Sequence, residues 1–90
     1  MNILIVYGWE KHSQRISFIE TIRKEFGYGL KESKDIIDAL ADEKEVIFTG
    51  SKVFKLEREF KELGAKCKIA SGVQAMKQHE PYKTIDTDLS

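Results

Sequence analysis

The chain has 90 residues, 41% of them hydrophobic and 33% charged, which suits one small domain with a core but leaves no room for a deep pocket as well. Fifteen basic and fifteen acidic residues cancel to a net charge of zero, so no overall field gathers nucleic acid or anionic lipid, and neither is an expected partner. The single cysteine, Cys67, makes no internal disulfide, and no apolar run approaches the ~18 residues of a membrane helix, so the composition reads as a cytoplasmic protein with no membrane association.

In chain order, residues 3–7 form a short apolar, β-branched run and are expected to be a strand covered on at least one face. The run is too short for a signal sequence and lacks a basic lead-in. A polar loop over 8–13 follows, with Ser13 placed to cap a helix over 14–26. Gly27, Tyr28 and Gly29 then pack a helix stop and a helix start into three positions, and a second helix is expected over 30–41. Its apolar face is Leu30, Ser33, Ile37 and Leu40, with Lys31, Lys34, Asp35 and Asp38 outside. If Gly29 needs a positive φ, valine there destabilises the fold.

After a charged turn, residues 45–49 read as a second strand, broken by Gly50, with Ser51 positioned to cap the next helix. Val53, Leu56, Phe60 and Leu63 carry the clearest helical period in the chain, and Gly64 ends it. Residues 66–70 make a third strand with Cys67 and Ile69 on one face. The expected fold is α+β: a two-layer βααβαβ sandwich with three helices on one face of a small three-stranded sheet, spanning 1–70. Residues 71–90 contain Pro81 and few apolar groups, and are expected to be a flexible polar tail, dispensable for folding, with a short helical start around 73–78.

Catalytic chemistry is hard to find. His12 and His79 have no partner at a motif spacing, and with Cys67 they form no recognised metal-ligand set. Gly27 and Gly29 lack the strand before and the lysine–hydroxyl pair after that a phosphate loop requires. Lys52, Lys55, Arg58 and Lys61 alternate with Glu57, Glu59 and Glu62 as a solvated helix face does. The expectation is a non-enzyme without metal or cofactor.

The first helix offers a recognition surface instead. Phe18, Ile19, Ile22 and Phe26 occupy an arc of roughly 100°, wide enough for a core face. Ile16 lies beyond that arc with Arg23 and Glu20 beside it, either widening the core or serving as a half-exposed anchor with a charged rim. Trp9, in the first loop, is either a lid on the core edge or an exposed contact.

The run from Phe26 to Asp35, with the later Leu63, Gly64 and Ala65, resembles the C-terminal domain of the bacterial large-subunit ribosomal stalk protein, often called the seven/twelve protein. That family carries a glycine, apolar, glycine, leucine, lysine, glutamate, small residue, lysine, aspartate run in the same place, and the likeness covers about residues 2–70. The resemblance implies a stand-alone module without the family's dimerisation region, binding translational GTPases through its first two helices. It also implies the contact residues: Arg15, Arg23 and Lys34 match the family's basic positions, Ile16 and Ile19 its apolar ones, and Ser17 its small one. Glu20 departs, since the family commonly has lysine there, and a carboxylate in the patch would redirect specificity. A protease adaptor of the same fold class suggests the alternative of an adaptor or regulator, for instance of a virus or mobile element, that binds another protein or a peptide near Trp9.

Overall fold

The computed structural model describes residues 2–72 and 79–88. Among them the elements run β1 (Asn2–Trp9), α1 (Arg15–Phe26), α2 (Leu30–Ala41), β2 (Val46–Thr49), α3 (Val53–Glu62), β3 (Ala65–Ser71) and β4 (Lys83–Asp86). The fold is α+β, as the sequence pattern predicts, but the sheet has four strands in the order β3-β1-β2-β4 rather than three. β1 is antiparallel to both its neighbours, with Leu4 opposite Phe48 on one side and opposite Ile69 on the other. β4 lies parallel to β2, pairing Phe48 with Ile85.

β4 corrects the expectation of a polar tail from residue 71 onward. Ile85 is 4% exposed and Thr87 1%, so this segment contributes to the core. Only one apolar residue in the strand faces inward, which is too weak a period to stand out in a polar stretch. Backbone bonds hold it at both ends, Tyr82 N–H to Glu45 O at 2.7 Å before the strand and Thr87 N–H to Thr49 O at 2.8 Å after it. The expected helical start over 73–78 lies outside the described residues.

Alternation along the strands divides the core in two. Leu4, Val6, Val46, Phe48, Cys67 and Ile85 join the helices in the main cluster, around Phe18 and Phe60. Ile3, Ile5 and Ile47 form a second cluster with Ala70. Ile3 through Val6 are all fully buried, which is why β1 reads as a continuous apolar run rather than an alternating one.

The helical hairpin closes as its glycines suggest, with a division of labour between them. Gly27 sits at φ 67°, in the left-handed region that ends a helix, and its N–H bonds Arg23 O. Gly29 is extended, at φ −72°, and needs no such freedom. Ser33 is buried because its hydroxyl donates to Gly29 O at 3.0 Å, which satisfies the polar group within the helix start. The inward face of α2 is Ser33, Ile36, Ile37, Ala39 and Leu40; Leu30, expected there, is half exposed. Neither Ser13 nor Ser51 caps a helix: the residues at those helix starts are Gln14 and Lys52, without side-chain cap bonds.

Candidate functional site

Two surfaces meet near the start of α1. The first is the exposed edge of α1 itself. Arg15, Ile16, Ile19 and Arg23 fall within an arc of about 100° on the helix, beside the buried Phe18 and Ile22. Ile16 is 75% exposed, which decides between its two readings: it does not widen the core. Ile19 is half buried and packs against the main cluster. Arg23 is exposed, and Lys34 stands exposed on α2. Among the described residues the ion pairs involve other side chains, leaving the charges of Arg15, Arg23 and Lys34 available.

Trp9 joins this surface to the second. The strand runs on to Trp9, through residues expected to be loop, so its indole is fixed by the sheet. The ring packs edge-to-face on Phe18, with centroids 4.9 Å apart, and Nε1–H donates to Ile37 O at 3.4 Å. The Arg15 guanidinium lies 5.4 Å from the ring centroid, and its Nε donates to Ser13 Oγ. Trp9 is thus a lid on the core edge with a cation on its outer side.

Beyond Trp9 a groove of about 840 Å³ opens at the end of the sheet. β1 forms one wall through Tyr7, Gly8 and Trp9, and Leu40 and Ala41 at the end of α2 form another. Glu80, Pro81 and Tyr82 close the far side, so the approach to β4 completes a concavity that a polar tail would not have made. Three cations, Arg15, Lys44 and Lys66, and three acids, Glu43, Glu45 and Glu80, line it. Glu45 is engaged by His79, whose Nδ1 lies 2.7 Å from its carboxylate. Lys44 lies 6.0 Å from the Tyr82 ring centroid. Trp9 was the one sequence signal for this groove; Tyr7 and Tyr82 gave none, because a strand bulge and an unexpected strand place them.

Burial pushes the Cys67 thiol up to about 11, a protonated and unreactive state, with Lys61 opposing and Glu57 adding to the shift. Burial also raises Tyr28, aided by Glu32. Among the described residues no group of three or more His, Cys, Asp or Glu is arranged to hold a metal, and no helix is long and apolar enough to cross a membrane.

Set against protein-family models, curated proteins and solved structures, the chain has no significant match.

Proposed function

We propose that this chain is a non-catalytic protein-interaction module of the ribosomal-stalk C-terminal type, which docks a protein partner through α1 and α2. The observation that carries the reading is Ile16, three-quarters exposed at the edge of an α1 face that also carries Arg15 and Arg23, with Glu20 on its other side. An isoleucine left in water adds nothing to the stability of the domain alone, and covering it on binding removes apolar surface from solvent. Cations around it set the direction of approach and favour a partner with an acidic rim. Ile19, half buried beneath, gives the anchor a rigid base. The resemblance of the α1–α2 turn to the stalk domain makes translational GTPases the first partners to test.

The experiment is calorimetry of the chain against purified elongation and initiation GTPases. Arg23→Glu is expected to weaken binding about tenfold or more, chiefly through slower association, and Ile16→Ala to weaken it similarly through faster release. Absence of binding to every GTPase, or binding unchanged in both variants, overturns the proposal.

A further inference from the structure

We propose that the groove beside Trp9 is a second binding site, adjoining the α1 patch at Arg15 but distinct from its Ile16 and Arg23 centre, and that it takes an extended acidic and apolar peptide segment as an added strand. The argument begins with a mismatch of lengths. β1 has eight residues and β2 four. Pairing of β1 with β3 continues to Trp9 opposite Ala65, whereas pairing with β2 stops at Val6 opposite Val46. Gly8 and Trp9 therefore have a strand partner on the β3 side alone among the described residues, and Tyr7, at the bulge between Val6 and Gly8, is in register with neither neighbour. On the other side the chain ahead of β2 turns away into α2, its Lys44 N–H bonding Ala39 O. The gap this leaves is the groove.

A strand edge beside a concavity is a template for a peptide, because backbone groups pair without regard to sequence and flanking side chains then select. The overhang is about 10 Å long, at ~3.3 Å per residue, and matches three residues of an extended partner. Register is irregular between Val6 and Gly8, a bulge next to the place where pairing ends. Exposed aromatic rings stand on both banks, Tyr7 at 39% and Tyr82 at 47% exposure, giving flat apolar contacts for alternate side chains.

Charge selects the peptide. Arg15 and Lys66 flank the overhang, and neither is in an ion pair among the described residues. Of the acids, Glu45 is already engaged by His79, while Glu43 comes from the turn between α2 and β2 and Glu80 from the approach to β4, neither of them from β1 or its β3 neighbour. A carboxylate in the peptide thus meets unpaired cations along the strand it pairs with, and an apolar neighbour covers Trp9 or a tyrosine.

Trp9 is the chain's one tryptophan, so its fluorescence reports the site directly. The test titrates the full chain with blocked, tryptophan-free peptides: Ac-LDFEL-NH2, its lysine counterpart Ac-LKFKL-NH2, and the acidic peptide N-methylated at its central residue. The acidic peptide is expected to shift Trp9 emission saturably, and the lysine and N-methylated peptides to bind at least about tenfold more weakly. Lys66→Glu is expected to lose about tenfold in affinity for the acidic peptide, Lys66→Ala less, and Arg23→Glu nothing. Urea melts establish that each variant is folded. No saturable shift with the acidic peptide overturns the site. Equal binding of the lysine peptide or of the N-methylated one overturns, respectively, the charge selection and the strand pairing. Equal loss in Arg23→Glu merges the site with the α1 patch.

Discussion

The carboxylate of Asp88 caps the approach to α3, accepting the Ser51 hydroxyl at 2.6 Å and the Ser51 backbone N–H at 3.1 Å. One residue earlier, the Thr87 hydroxyl accepts the Lys52 N–H at 3.3 Å. Helix α3 has no side-chain cap bond, and these contacts from 37 and 35 residues away hold the two residues just ahead of it. An anion is favoured there because the first N–H groups of a helix are unpaired and carry partial positive charge.

That contact has a pH signature. The Ser51 hydroxyl and N–H bonds hold the Asp88 carboxyl below its usual 3.8, with Lys52 assisting. A folded-state value below the unfolded one gives stability that is present above about pH 4 and lost as pH falls through the folded value. Asp88→Asn is therefore expected to lower the melting temperature at pH 6, with the gap to wild type closing toward pH 2–3. Thermal melts of both proteins across that range check it, and a gap that stays constant with pH rules out the carboxylate as its source.

The glycines separate by their surroundings. Gly50 has φ 102°, and a Cβ there would lie 2.5 Å from Thr87 Oγ1 and 2.8 Å from Asp88 Oδ2. Gly27 has φ 67° but open space around it, and Gly29 has an ordinary φ with nothing closer than Glu32 Oε1 at 3.8 Å. Alanine at Gly27 is expected to cost about 1 kcal/mol for the left-handed backbone alone. Gly50→Ala adds displacement of the Asp88 contact and should cost more, while Gly29→Ala should be neutral or slightly stabilising. Urea melts rank the three, and a Gly29 variant as damaged as Gly50 would refute the ordering.

Ile85→Ala tests whether β4 is part of the folding unit. A buried isoleucine truncated to alanine costs about 2–5 kcal/mol. At about 4–8 °C per kcal/mol for a domain this size, the melting temperature should fall by at least about 8 °C. An unchanged midpoint would restore the reading of residues 71–90 as a dispensable tail.

Residue 85 also marks where sequence reading stopped working. The three helices and the first three strands were legible because each repeats apolar residues at its own period: Val53, Leu56 and Phe60 in α3, for example, are all buried. β4 has Ile85 alone, and its place depends on pairing with a strand 37 residues earlier, Phe48 with Ile85. The candidate patch was half legible. Helical angle placed Ile16 at the margin of the stripe, but exposure at a margin depends on what packs beside it. The groove was out of reach, because it arises from the unequal lengths of β1 and β2 and from the approach to β4.

Cys67 is expected to behave as a core atom rather than a reactive one. Its thiol donates to Glu57 O at 3.8 Å, and burial raises its pKa from 9.0 to about 11. Between those values the folded state keeps a proton that the unfolded state releases, so stability falls as pH rises through the window. Lysines and tyrosines titrate there too, and subtracting a Cys67→Ala profile isolates the thiol: the difference should shrink from pH 9 to 11. At pH 8 a thiol reagent should label native protein far more slowly than urea-unfolded protein. Equal labelling rates would mean that β3 opens readily.

The most discriminating stability comparison sets Ile16 against Ile22, the same side chain on the same helix. Ile22 is fully buried and Ile16 is 75% exposed. Truncating Ile22 to alanine removes methyl groups from a packed core and leaves a cavity, at a cost of about 2–5 kcal/mol. Truncating Ile16 leaves no cavity, and alanine is the better helix former, so the change should lie within about 0.5 kcal/mol of wild type. A melt series on the two variants gives the stability arm, and partner binding on Ile16→Ala gives the other. Retained stability with lost binding is the result a docking anchor requires. A loss of more than about 1.5 kcal/mol in Ile16→Ala would place this residue in the core after all and remove the apolar centre of the proposed patch.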